Sequence, residues 1–195
     1  HFASGSLGLS QVDLTGACSV EAMQSRIAAW AAANPEAPWI LGGGWEYTCF
    51  PGGRLPTRGD LDPVTGSRPA YLRAYDGHTA WANTRALEVA GVDRDTAFSG
   101  FGELVRDPAN GEPTGALKEG AMALVSAHVP APTREQRLAA IREGLVVAAA
   151  LGLTSLHNAS GSPEEVGLYE ELLARGELSA RLLFALSAGR DANPC

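Results

Sequence analysis

Two capping boxes, each followed by an apolar stripe at helical spacing and then a short apolar run, constrain this chain more than any other feature. Thr133 with Gln136 opens the first unit, and Leu138, Ile141, Leu145 and Ala148 fall on one face of a helix that Gly152 ends. Leu153-Thr-Ser-Leu-His157 then reads as a buried strand terminating in His157-Asn158-Ala-Ser-Gly161. Ser162-Pro-Glu-Glu165 repeats the box, and its helix carries Val166, Tyr169, Leu172 and Leu173 before Gly176 closes it. Ala180 to Ser187 supplies the next strand. Helix, strand, helix, strand with short connections describes consecutive units of a parallel sheet, so the fold class is α/β. In such sheets ligands gather at the carboxyl ends of strands, where His157 and Ser187-Ala-Gly-Arg190 are expected.

Pro130-Ala-Pro132 breaks the chain ahead of this pattern, and a domain boundary is placed there, giving 1–132 and 133–195. The upstream part reads as mixed α and β. Phe2 to Gly8 is a small-residue loop, and Ser10 to Leu14 a short strand. Ser19 caps a helix bearing Val20, Met23, Ile27 and Trp30, which Asn34-Pro35 stops. Trp39-Ile-Leu41 is a brief strand opening into Gly42-Gly-Gly44-Trp45-Glu46. The glycines permit close backbone approach, but no GxGxxG is present, which argues against a phosphate loop. Tyr47 to Arg68 reads as a long ordered loop in which Thr57 caps a single turn. Ala70 to Tyr75 is a strand with Asp76-Gly77-His78 at its tip, followed by a helix capped by Asn83 and closed by Gly91. Asp107-Pro and Asn110-Gly111 mark a hairpin that delivers Lys118-Glu119, after which Gly120 to Val125 is helical.

With 45% hydrophobic and 19% charged residues the chain is globular rather than disordered. Its net charge of −7, with basic residues scattered along the chain, argues against nucleic acid and against an anionic membrane surface. No apolar run approaches the roughly 20 residues a membrane span needs. Three widely spaced cysteines, Cys18, Cys49 and Cys195, form neither a CxxC nor a disulfide framework, so a reducing, cytoplasmic setting is expected. Cys18 and Cys49 read as small buried hydrophobes.

Asp76-Gly77-His78 admits two readings. It is a satisfied turn, with Asp76 bonding its own backbone, or it is a site in which a carboxylate and an imidazole titrate, bind metal or hold a substrate carbonyl. His157 also follows an apolar run, whereas His128 sits beside the proline linker and reads as a surface residue. Glu119 is either a helix-start carboxylate or a site residue, and Glu46 a loop cap or a site residue. The absence of a Gly-x-Ser-x-Gly elbow and of a reactive-looking cysteine argues against a covalent nucleophile.

Several segments together resemble the family-3 amidohydrolases, the branch of the metal-dependent amidohydrolase superfamily that includes N-substituted formamide deformylases. They are His1 to Leu14, Trp39 to Glu46, Phe50 to Leu61, Asp76-Gly-His78-Thr-Ala-Trp-Ala-Asn83, Pro113-Thr-Gly-Ala-Leu-Lys-Glu119 and Leu151 to Asn158, and they occur in the family's order.

The resemblance implies a metal-bearing (β/α)8 barrel longer than this chain, which would then be an internal fragment, inactive by itself. Residues 1–132 would be an insertion following the first barrel strand, and 133–195 a partial barrel from the first helix to the third strand. His1 aligns with the second His of a metal-binding His-x-His pair, unless it is a tag remnant. The implied chemistry is hydrolysis of a non-peptide C–N bond by water activated on a divalent metal, with zinc expected. Glu119 and His78 would be catalytic or pocket-lining. Asp76, Trp45, Glu46 and His157 would contact a small amide-type substrate. Strands left without barrel neighbours would leave room for a homodimer. The competing reading is a non-catalytic binding or assembly module.

Overall fold

The computed structural model describes residues 2–186, the side chain of Ser160 excepted. The helices are α1 (Phe2–Gly8), α2 (Val20–Ala33), α3 (Arg58–Thr65), α4 (Thr84–Ala90), α5 (Ala123–Ser126), α6 (Arg134–Ala150) and α7 (Pro163–Ala174). The strands are β1 (Val12–Asp13), β2 (Ile40–Trp45), β3 (Ala70–Ala74), β4 (Thr79–Ala82), β5 (Gly102–Arg106), β6 (Pro113–Glu119), β7 (Ser155–Gly161) and β8 (Arg181–Leu186). They form two compact units, one of residues 11–130 and one joining residues 2–10 to residues 131–186. None of the described helices is long and apolar enough to cross a membrane.

The 11–130 unit is built on a six-stranded mixed sheet of order β1-β2-β3-β4-β6-β5. β1, β2 and β3 run parallel, while β3-β4, β4-β6 and β6-β5 are antiparallel. Alternation along β3 explains how the sheet buries both faces. Ala70, Leu72 and Ala74 enter one core with Trp45, Trp81, Met23, Ile27 and Leu61, whereas Tyr71 enters a second core with Leu87, Leu117 and Val125. The glycines of β2 are there for contact with its neighbours: a Cβ on Gly42 would sit 2.2 Å from Val12 O, and one on Gly43 2.5 Å from Arg73 O. β2 therefore continues through them, past the expected end at Leu41, to a register irregularity between Gly43 and Trp45.

Three further expectations are corrected here. Residues 47–68 are not one loop, because two 3₁₀ turns are followed by α3, two turns long and opened by Thr57 with Asp60 as a capping box. Helical spacing was masked by Pro63 and by the Pro and Gly residues before it. Phe2–Gly8 is helical rather than a loop. Its small residues suit close packing on α6, where a Cβ on Gly144 would lie 2.1 Å from Ser6 Oγ. Cys18 is exposed rather than buried, while Cys49 lies partly buried against the first core.

In the other unit, β7 and β8 pair in parallel with α7 between them in sequence, as the capping boxes imply. Leu138, Ile141 and Leu145 of α6 meet Leu168, Tyr169 and Leu172 of α7 in a third core, with Phe2, Leu156 and Phe184 packed against it. Buried Asn158 ties three elements together, accepting from Phe2 N–H at 3.1 Å and donating to Glu165 Oε1 at 3.0 Å. On the opposite face of the sheet Leu183 is more than half exposed, as is Leu186 at the end of β8.

Candidate functional site

The stretch Asp76-Gly77-His78 is the turn of a hairpin between β3 and β4, not a strand tip leading into a helix. The strand Thr79–Ala82 escapes sequence reading because all four of its residues are buried, so no polar alternation marks it. The turn itself is satisfied. Asp76 Oδ1 accepts the His78 N–H at 2.9 Å, Gly77 N–H donates to Ala74 O at 3.0 Å, and Gly77 sits at φ 77°. The imidazole remains free to do more.

His78 Nδ1 lies 3.1 Å from Glu119 Oε1 and 3.2 Å from Oε2. Glu119 ends β6, and its N–H donates to His78 O at 2.9 Å, so backbone and side chain join the same two residues. Glu119 is also the only non-glycine residue with positive φ among those described, at φ 51° and ψ −126°. That conformation costs a side-chain-bearing residue roughly 1–3 kcal/mol, and such strain concentrates at functional positions. An imidazole held by a carboxylate has its ring orientation fixed and can hold or pass a proton.

On the far side of the turn, Tyr47 hydroxyl lies 2.8 Å from Thr79 Oγ1 and 3.2 and 3.3 Å from the two oxygens of Asp76. A phenol has one proton to give. The Thr79 hydroxyl can donate to it, which frees the Tyr47 O–H for the carboxylate. Burial, reinforced by the Asp76 charge, pushes the Tyr47 phenol up from its ordinary value, so it stays a neutral donor. Asp76 is thus held from two sides.

The alternation of β3 and β6 puts Tyr71, Arg73 and Glu119 on one face of the sheet. With Gly77 of the turn, and with Met122 and Ser126 following β6, they line a cavity of about 410 Å3. Burial raises the Tyr71 phenol, against the opposing effects of the Arg73 charge and a hydrogen bond from Ser126.

The remaining sequence candidates fall elsewhere. Trp45 is fully buried in the first core, its Nε1–H donating to Leu72 O at 3.0 Å. Its ring stacks edge-on against Tyr47, Phe50 and Trp81 at centroid distances of 5.1, 5.6 and 6.3 Å. Its side chain is thus enclosed in the core, packed behind Tyr47. Glu46 is exposed beside a 3₁₀ turn, without a capping hydrogen bond. His157 belongs to the other unit, exposed on β7 opposite Leu183, and it lies inside the strand because β7 runs on to Gly161. His1 and Ser187 to Arg190 lie outside the described residues. Among the described residues no three His, Cys, Asp or Glu side chains converge as a metal site would require, so these residues by themselves do not fit a metal.

Sequence reading missed Tyr47, Thr79 and Arg73 as neighbours of the site. Tyr47 and Thr79 carry no local signal, since only the folded hairpin brings them to Asp76. Arg73 did carry one, as the sole charged residue in an otherwise apolar strand.

This chain matches the Amidohydrolase family over residues 1–193, and it belongs to that family. It is 35% identical over 156 residues to the protein LONG AFTER FAR-RED 3 of Arabidopsis thaliana, covering 80% of this chain and 26% of that protein. It is 34% identical over 91 residues to the N-substituted formamide deformylase of Arthrobacter pascens, covering 47% of this chain and 17% of that enzyme. It also superposes with a TM-score of 0.65, at 23% identity, on a crystal structure of an uncharacterized metal-dependent hydrolase from Pyrococcus furiosus, over 95% of this chain and 36% of that one. The chain therefore spans about a quarter or less of the length of these two curated relatives.

Proposed function

We propose that this chain is part of a hydrolase acting on non-peptide, amide-type C–N bonds of small molecules, and that His78 and Glu119 face its substrate. The observation that carries this reading is the His78–Glu119 contact at 3.1 Å, made by a glutamate held in a strained backbone conformation at the wall of a cavity. Glu119 fixes the His78 ring, and His78 holds a hydrogen bond to the substrate carbonyl or to the leaving nitrogen. Asp76, bonded to the His78 backbone and to Tyr47, keeps the turn that aims the ring.

The parallel β7/β8 pair with a helix between its strands, and with Leu183 exposed on the face away from the third core, supports two adjacent strands of a (β/α)8 barrel, with the 11–130 unit as an insertion. A divalent metal, zinc by the resemblance, would belong to that barrel through ligands outside the residues described, His1 being one candidate. Glu46, exposed, and His157, exposed on β7, are kept as substrate contacts.

The test is hydrolysis of N-substituted formamides and other small amides by the longer protein that carries this sequence. Glu119→Gln should lower kcat/KM at least about tenfold, about 1.4 kcal/mol of transition-state stabilisation. An unchanged kcat/KM removes the pair from the site.

A further inference from the structure

Besides Glu119, Arg73 is the one charged residue lining the cavity. It lies on β3, between buried Leu72 and buried Ala74, and points to the same face as Tyr71. Among the described residues its guanidinium makes one hydrogen bond, Nη2–H to Gly77 O at 3.1 Å, and no carboxylate lies within ion-pair distance. Gly77 leaves room for this arrangement, since a Cβ there would sit 3.1 Å from Arg73 Nη2. Most of the planar donor fork is therefore uncommitted. The other arginines that reach carboxylates, such as Arg54 on Asp60 and Arg134 on Glu171, show what a satisfied fork looks like in this chain.

The cavity of about 410 Å3 carries this cation and the Glu119 carboxylate on its wall, with the Tyr71 ring and Met122 as apolar lining. Glu119 already holds His78, so the unpaired charge in the cavity is the positive one. A small ligand entering it meets an open guanidinium fork, a geometry matched to the two oxygens of a carboxylate.

We propose that Arg73 is a specificity-determining residue which takes a carboxylate borne by the substrate, so that the substrate is an amide with an anionic group a few bonds from its C–N bond. This deepens the reading of His78 and Glu119 as the substrate-facing pair and rests on it. The carboxylate docks on Arg73, and the amide end is left facing His78.

The experiment compares two probes of nearly equal shape, N-acetylglycine and the uncharged N-acetylglycinamide, by calorimetric titration of the longer protein that carries this sequence and by its 15N shifts. The expected result is that N-acetylglycine binds at least about tenfold more tightly, with the Arg73 side-chain resonance shifting. Arg73→Gln should abolish the preference, by weakening N-acetylglycine binding at least about tenfold. Arg73→Lys, which keeps the charge but not the fork, should fall between. Equal binding of the two probes by the unaltered chain overturns the anion role and leaves the cavity as a substrate site. Binding of neither probe overturns both. A preference that survives Arg73→Gln places the anion elsewhere and also overturns it.

Discussion

Glu119 is joined to His78 twice, through its backbone N–H to the His78 carbonyl at 2.9 Å and through its carboxylate to the His78 ring at 3.1 Å. The first bond continues the β4–β6 ladder past Thr79 and Lys118. The second depends on Glu119 adopting a conformation that favours glycine. The His78 side chain is 65% exposed, so this side-chain contact adds little to stability. A strained residue holding an exposed, weakly stabilising pair is poorly explained by folding and better explained by function.

Strain at Glu119 gives a stability test independent of activity. Glu119→Gly relieves the positive φ, whereas Glu119→Ala keeps it. The glycine variant should be the more stable of the two by about 1 kcal/mol in urea melts, because a Cβ is disfavoured in that region. Equal stability would mean the backbone relaxes once the carboxylate is gone.

Asn83 is buried and fully used. Its amide donates to Thr65 Oγ1 and Arg68 O at 2.8 and 2.9 Å, and its oxygen accepts from Ala70 and Ala86 N–H at 2.9 and 2.8 Å. It caps α4 and pins β3 behind the site. Asn83→Ala should cost roughly 2–4 kcal/mol in denaturant unfolding, from a lost cap together with stranded buried groups.

Asp60 opens α3 and receives Arg54 as a two-pronged ion pair, both contacts at 2.7 Å, and Thr57 N–H at 2.8 Å. Burial opposes ionisation, but the Arg54 and Thr57 hydrogen bonds outweigh it, and the carboxyl is held below its ordinary value. A carboxyl depressed in the folded state stabilises above its unfolded pKa, near 4, and loses that stabilisation as pH falls through the folded value. Asp60→Asn should therefore cost about 1–2 kcal/mol at pH 7, with the gap to the unaltered chain closing below about pH 4. A gap that widens in acid would reverse the sign argued here.

Gly144 lets α1 lie against α6. Alanine usually improves a helix interior by about 0.5–1 kcal/mol, but here its methyl would meet Ser6 Oγ at 2.1 Å and Phe2 Cζ at 3.0 Å. Gly144→Ala should be destabilising by about 1–3 kcal/mol in thermal or denaturant melts, and Gly144→Ala combined with Ser6→Gly should recover part of the loss. A stabilising single variant would show that α1 is not packed there.

How legible the fold was depended on how local each signal was. The capping box at Thr133, the Ser162 cap and the Asn110-Gly111 turn act within four residues, and the helices and the hairpin they mark are present; the Glu165 side chain bonds Asn158 rather than completing a box with Ser162. α1 and β4 were hidden because tertiary burial, rather than pattern, makes Phe2–Gly8 helical and Thr79–Ala82 extended. At the site, Asp76, His78 and Glu119 were legible as residue types at element ends. Their meeting was not, since 41 residues separate His78 from Glu119 and only the β4–β6 register brings them together. Trp45 was expected as a ligand contact through the family resemblance alone, and its side chain is enclosed in the first core.

The account stands or falls on His78 and Glu119 acting as one unit on substrate. The measurement is a double-mutant cycle of kcat/KM for amide hydrolysis by the longer protein, with His78→Asn, Glu119→Gln and the pair. Each single variant is predicted to lose at least about tenfold, and the double variant to be no worse than the poorer single by more than about threefold. Full activity in His78→Asn, or losses that simply multiply, would contradict it.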